Sequence, residues 1–305
     1  MFLSTSTQTR ALISEFSIVT KENATQNWTI YDIAFIDEET LKEFYGIALA
    51  KGRKVFVQSE TLSEDFSDGS INGGLYNNLF GKMPLPWVRF FLQNEMEILA
   101  ISKDLEFMTR KNGRLITPGP EKVFRQFDLI KPSEVRVIIV GQDPYPIEGM
   151  ADGVAFSTFQ TTVPRSLANI YKELAYEKIP HCRHPNLDHL VRQGCFLINA
   201  SWTTVVGTTR SHSTMWQGFT TSLISFVLDS NPDRKLILTA FGKDAAKLCA
   251  KFAGRAAVFE TAHPAPNSFS KFYKCGIFSK INTLLDPQLN FLVNKNVQGS
   301  SAING

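Results

Sequence analysis

Four short apolar runs, each cut off by a polar loop and each parted from the next by a helical stretch, constrain this chain more than any other feature. The runs are Val135–Val140, Cys195–Ile198, Leu236–Ala240 and Ala256–Thr261. They do not alternate polar with apolar residues, as a half-exposed strand would, and each is too short for a buried helix. Continuous apolar runs of this length suit strands covered on both faces of a parallel sheet. Amphipathic helical segments separate or follow them at Arg165–Tyr176, Met215–Asp229, Asp244–Phe252 and Cys275–Leu285. Such alternation requires right-handed crossovers. The expected fold is α/β, a three-layer arrangement in which helices flank a central four-stranded, mostly parallel sheet, with an N-terminal extension.

The extension differs from the body in charge. Residues 1–80 carry 6 Lys and Arg against 11 Asp and Glu, whereas residues 81–305 carry 26 against 18. A basic body suggests a polyanionic partner, although solubility alone also tolerates such asymmetry. Within the front part, Met1–Thr20 is Ser/Thr-rich but poorer in Arg than a mitochondrial leader, so an N-terminal arm is expected. Strand-like runs at Trp28–Ile36 and Lys54–Gln58 surround a short helix at Glu38–Ala50, and Ser63–Gly74 reads as a turn-rich linker. Leu85–Thr109 reads as helical. The domain expectation is an extension over 1–80 and a catalytic body over 81–305.

Several classes are disfavoured. Of 305 residues 43% are hydrophobic, enough for a sizeable core. No apolar run approaches the ~20 residues of a membrane helix, so no membrane partner is expected. The four cysteines, at 182, 195, 249 and 275, form no CxxC pair, which argues against a zinc ribbon or a cysteine-held iron–sulfur cluster. His181, Cys182, His184 and His189 lie close in sequence but lack a second ligand pair at zinc-finger spacing. Neither a metal nor a cofactor is expected.

Chemistry gathers where the strands end. The loops begin Gly141-Gln142-Asp143-Pro144-Tyr145, Asn199-Ala200-Ser201-Trp202, Phe241-Gly242-Lys243 and His263-Pro264-Ala265-Pro266. In open parallel sheets ligands bind beyond the carboxyl ends of the strands, so these loops should share one cleft. Asp143 could act as a base, position water or stabilise a developing cation. His263 could donate a hydrogen bond to a departing anion. Asn199, with one donor face and one acceptor, could read a nucleobase edge. Tyr145 and Phe156 offer flat rings for stacking and exclusion. Cleavage of an N-glycosidic bond would use all five. Each also has a plainer reading: Asp143 as a turn former, His263 as a satisfied loop histidine, Asn199 as a strand end, Phe156 as core.

The motifs Gly141-Gln-Asp-Pro-Tyr145, Gly153-Val-Ala-Phe-Ser157, Ser166-Leu-Ala-Asn-Ile-Tyr-Lys-Glu-Leu174, Gly194-Cys-Phe-Leu-Ile-Asn-Ala200 and His263-Pro-x-Pro-x-Ser268 occur in this order. In this the chain resembles the uracil-DNA glycosylases, over about Pro84 to Leu285. The resemblance implies that Asp143 orients water and stabilises an oxocarbenium-like sugar, and that a neutral His263 hydrogen-bonds uracil O2. It assigns Asn199 to the O4 and N3 edge, Tyr145 to exclusion of the thymine methyl, Phe156 to stacking, and Gln142 to a backbone contact with the base. Pro118, Ser166, Pro264 and Ser268 are the implied DNA contacts; Lys243 and Phe269, where the chain departs from the family, are candidate contacts, the one otherwise a solvated charge and the other otherwise packed inward. The implied partner is uracil-containing DNA, single- or double-stranded, with the base flipped out of the stack.

The chain also departs from that family. Pro146-Ile147 stands where His-Gly is usual, Asn267 where a leucine wedge is usual, and Lys243 where serine is common. Phe269 is the candidate substitute wedge. Arg210, before Ser211-His212, is a candidate phosphate contact with a solvated charge as the alternative. A DNA-binding subunit that tethers a replication partner through residues 1–80, with weakened catalysis, is the alternative; a glycosylase of wider base specificity is a third reading. The expected location is the nucleus or another DNA-containing compartment, with a mitochondrial address as the alternative.

Overall fold

The computed structural model describes residues 74–81 and 83–293. The expectations for the arm, the two strand-like runs, the helix Glu38–Ala50 and nearly all of the linker lie outside the described residues. Contacts divide the chain into two compact units after Gly113.

In that first unit, helices α1 (Leu75–Gly81), α2 (Val88–Gln93) and α3 (Glu95–Asn112) follow one another. The single helix expected over Leu85–Thr109 is interrupted at Asn94, where φ is −105° and ψ 10°. Its Nδ2 donates to the Phe90 carbonyl at 2.7 Å, a side-chain bond of the kind that competes with helix continuation. Tyr76 ties α1 to α3: its backbone N–H donates to Ser102 Oγ at 3.2 Å and its hydroxyl to Glu95 Oε1 at 2.9 Å.

The second unit holds strands β1 (Ile116–Thr117), β2 (Val137–Gly141), β3 (Cys195–Asn199), β4 (Thr204–Val205), β5 (Ile237–Phe241) and β6 (Ala257–Thr261). β1 and β4 form a small antiparallel pair. The other four make a parallel sheet in the order β3-β2-β5-β6. Every residue of β2 and β5 is buried, whereas β6, at the edge, is half-covered and carries Glu260. Three strands run one residue past their apolar runs, to Gly141, Asn199 and Phe241. Ladder bonds use backbone groups alone, so pairing continues into the polar loops.

Flanking helices are α4 (Arg165–Tyr176), α5 (Asp188–Val191), α6 (Gln217–Asp229), α7 (Lys243–Cys249), α8 (Phe269–Phe272) and α9 (Ile277–Thr283). α4 has the limits read from its pattern. α9 is shorter than expected, because Gly276 at φ 68° precedes it and Leu284 closes it. α7 gives way to a 3-10 turn over Ala250–Phe252. An aromatic cluster fills one part of the core: Phe127 stacks on Trp202 at 5.4 Å, and Phe219 meets Trp202 and Trp216 edge-on, each also at 5.4 Å.

A buried ion network anchors the loop after β2. Arg125 donates through both terminal nitrogens to the Asp188 carboxylate, each bond 2.9 Å long. Its Nη2 lies 3.2 Å from Asp152 Oδ2 and its Nε donates to the Asp152 carbonyl at 2.6 Å. Asp152, 1% exposed, also accepts from the Val154 N–H at 3.0 Å and from Ser157 Oγ at 2.7 Å. Burial pushes its carboxyl pKa up, opposed by Arg125 and these donors. Removing one partner of a buried, hydrogen-bonded pair costs about 3 kcal/mol, whereas an exposed pair contributes about 0.5 kcal/mol or less. Asp152→Ala should therefore lower the urea midpoint far more than Lys131→Ala, which breaks only the exposed 3.8 Å pair with Glu134. Equal midpoints for the two variants would remove the network from the account.

Candidate active site

The parallel register sets Gly141 beside Asn199 where β2 and β3 end. The two loops stay bridged beyond the sheet: the Gly141 carbonyl accepts from the Ala200 N–H and the Gln142 carbonyl from the Ser201 N–H, both at 3.0 Å. Only glycine fits at 141. A Cβ there would lie 2.4 Å from Asn199 Oδ1 and 2.9 Å from Phe156 Cζ. The carboxamide and the ring thus meet over a bare backbone, at the wall of a cavity of about 750 Å³.

Gln142, Asp143, Tyr145, Phe156, Asn199 and His263 all line this cavity, as do Pro118, Ser166, Lys243 and Ser268. Two of the expected residues do not. Pro264 is buried, its carbonyl accepting from Asn169 Nδ2 at 2.8 Å. Phe269 packs 5.2 Å from Tyr273 with Lys172 Nζ 5.0 Å from its ring centre; Asn267 and Lys271 occupy the nearby cavity edge instead.

Asp143 is held by two donors. Gln142 Nε2 donates to Oδ1 at 2.9 Å and the Arg210 backbone N–H to Oδ2 at 2.7 Å. Desolvation raises its pKa above the usual 3.8, and those two bonds oppose the rise. Arg210 can present its N–H because it sits at φ 61°, an uncommon conformation outside glycine. Its guanidinium turns to Asp244 Oδ2 at 2.9 Å. The sequence marked Arg210 as a phosphate candidate and missed this backbone role, since no residue pattern encodes a main-chain donor.

His263 has a defined tautomer. The Ala265 N–H donates to its Nδ1 at 3.0 Å, so the ring proton sits on Nε2 and the imidazole is neutral. Burial, and next the positive charge of Arg210, push its pKa down to about 4. Ser268 Oγ donates to the His263 carbonyl at 2.6 Å and so closes this loop. Phe156 stands 5.8 Å from the imidazole and 5.6 Å from Phe241. It is 7% exposed and adopts φ 67°. That strain is held by its neighbours: the Tyr145 hydroxyl donates to the Phe156 carbonyl at 2.7 Å and the Ala155 N–H to Leu197 of β3 at 3.0 Å. Tyr145 is half-buried with its hydroxyl desolvated, which raises its phenol pKa, so it serves as a fixed neutral wall.

A polar stripe on α4 supports the histidine loop from behind. Asn169, Glu173 and Glu177 recur every four residues on one helix face. Asn169 holds the Pro264 carbonyl. Fully buried Glu173 accepts from the N–H groups of Lys274 at 2.5 Å and Gly276 at 2.8 Å. Glu177 accepts from the N–H groups of Phe278 and Ser279. Polar residues on the inner face of an amphipathic helix were the signal for this clamp. Of the histidines and cysteine of 181–189, His181 stacks on Tyr171 at 5.7 Å, His184 Nδ1 lies 2.9 Å from the Asn186 carbonyl and Cys182 Sγ lies 3.5 Å from the Phe291 carbonyl. Among the described residues no cluster of three or more such groups could hold a metal.

A profile of the uracil DNA glycosylase superfamily matches residues 127–285, over half the chain. The chain belongs to this superfamily. It is 34% identical to a uracil-DNA glycosylase of Caenorhabditis elegans over 202 residues, 64% of this chain and 71% of that protein. With the uracil-DNA glycosylase of Mesomycoplasma hyopneumoniae it shares 31% over 214 residues, 68% of this chain and 96% of the relative. The crystal structure of mimivirus uracil-DNA glycosylase superposes with a TM-score of 0.65 at 29% identity, covering 75% of this chain and 92% of that one.

Gly141→Ala should leave the fold intact yet lower kcat/KM by about a hundredfold, as expected when site geometry shifts by an ångström. Wild-type kcat/KM in that variant would mean that the contact of Asn199 and Phe156 over residue 141 does not shape the ligand.

Proposed function

We propose that this chain is a uracil-DNA glycosylase: it takes a flipped deoxyuridine from DNA and hydrolyses the C1′–N1 bond, releasing uracil and leaving an abasic site. One observation carries the reading. A carboxylate, a neutral imidazole with its proton on Nε2, a carboxamide edge and a stacking ring line a single cavity at the end of a parallel sheet. The family membership and the basic body, with its 26 Lys and Arg, point the same way.

In this reading uracil stacks on Phe156 while Asn199 pairs with its O4 and N3–H. Cytosine, with an amino group at C4 and no N3 proton, would mispair with both. Tyr145, pinned through its hydroxyl, leaves no room for a methyl at C5. As the C1′–N1 bond breaks, its electron pair moves onto the base, and the His263 Nε2–H meets the negative charge growing on O2. Positive charge grows on the sugar, beside the Asp143 carboxylate. Water then bonds to C1′ and passes a proton to Asp143. In this reading Ser166, Lys243 and Ser268, which line the cavity with Pro118, meet phosphates of the flipped strand. The wedge role of Phe269 gains no support from its packing. Such an enzyme works wherever DNA is kept.

Asp143→Asn should cut kcat on a single-uracil oligonucleotide by about a thousandfold with substrate affinity retained; near wild-type turnover would sink the mechanism.

The pH profile supplies a second check. Asp143 must be ionised to act and its pKa is raised, so kcat/KM should fall on acidification through a value above 3.8. His263, at about 4, should add no limb near the ordinary histidine value of 6.5. A limb near 6.5 that His263→Gln abolishes would overturn the neutral-imidazole assignment.

A further inference from the structure

We infer that a row of three aromatic rings beside the cavity, Phe269, Tyr273 and Tyr176, is a stacking track for unpaired bases of the strand that flanks the flipped nucleotide. This inference rests on the glycosylase reading for its DNA partner and adds a preference for single strands.

The row starts beside the cavity, because Phe269 opens the four-residue helix α8 directly after Ser268, which lines the cavity. From Phe269 to Tyr273 the ring centres are 5.2 Å apart at an interplanar angle of 31°. From Tyr273 to Tyr176, at the end of α4, they are 5.5 Å apart at 60°. Tyr176 is 48% exposed and Tyr273 38%, so both are open in part to water.

Cations accompany the rings. Lys172 Nζ lies 5.0 Å from the Phe269 ring centre, and Lys274 Nζ lies 5.3 Å from that of Tyr176 and 5.6 Å from that of Tyr273. Among the described residues neither lysine is paired with a carboxylate. Glu173 and Glu177 of the α4 stripe have their oxygens on backbone N–H groups of 274–279. The surface is therefore aromatic with ammonium groups lying over its rings, the combination that holds single-stranded nucleic acid by base stacking and phosphate attraction. A duplex, whose base faces are covered by their neighbours, cannot use it. Continuity with the cavity edge through α8 argues for a strand already engaged in the cavity rather than an unrelated ligand.

The test compares the full chain with Tyr176→Ala/Tyr273→Ala and Tyr176→Phe/Tyr273→Phe. Binding to a fluorescent uracil-free single strand is read by anisotropy, and uracil release is measured on a long single strand, a uracil trinucleotide and a duplex. The alanine pair should weaken strand binding about tenfold or more and raise KM on the long single strand alike, at unchanged kcat. The phenylalanine pair, which keeps both rings, should match wild type. Trinucleotide and duplex should not distinguish the proteins. Lys274→Glu, at an exposed side chain, should weaken strand binding in the same direction even if the alanine pair folds poorly.

Wild-type strand binding in a folded alanine pair would overturn the track and leave the glycosylase reading standing. An equal rise in KM on duplex would overturn the single-strand assignment. If the wild-type chain releases no uracil but the alanine pair still loses strand binding, the glycosylase reading fails and the track survives.

Discussion

The site depends on the parallel ladder between β2 and β3 running one step beyond the apolar residues that motivate it. Gly141 and Asn199 pair as the last rung, and with that rung fixed the next residues of each strand have nowhere to go but the same loop edge. Because residue 141 lacks a Cβ, the Asn199 carboxamide and the Phe156 ring close to a spacing that any side chain would forbid. The position of Asp143 two residues later, and of the Ala200–Ser201 turn opposite, follows from the two bonds that extend the bridge. The chemistry is thus set by backbone geometry before any side chain is chosen.

Two kinds of restraint then prepare the reactive groups. Asp143 and His263 each sit where burial opposes their charged forms, yet they end in opposite states. Asp143 is given donors, from Gln142 and the Arg210 backbone, that favour the carboxylate. His263 is given a donor at Nδ1 and a cation nearby, both of which favour the neutral ring. Low polarity alone would neutralise both; what separates them is which hydrogen-bonding partner the loop presents.

Much of this was legible in the sequence, for a physical reason. Four buried strands leave an unmistakable apolar record, and a sheet of parallel strands has only one end at which Asp143, Asn199 and His263 can meet. The parts that escaped are those that side-chain identity does not encode. Arg210 acts through its main chain. Asn94, whose amide also donates to a carbonyl of the preceding turn, interrupts a pattern that reads as one helix. The substitute wedge expected at Phe269 rested on residue type, whereas the ring's direction is decided by Tyr273 and Lys172 beside it.

The α4 stripe grips the segment after His263 almost wholly by main-chain atoms: the Pro264 carbonyl and the N–H groups of residues 274, 276, 278 and 279. A grip of that kind is indifferent to which side chains the held segment displays. The side chain at the exposed position 273 can therefore change while the imidazole keeps its place. The rim of the site can acquire a new substrate preference through mutations that never disturb the catalytic loop.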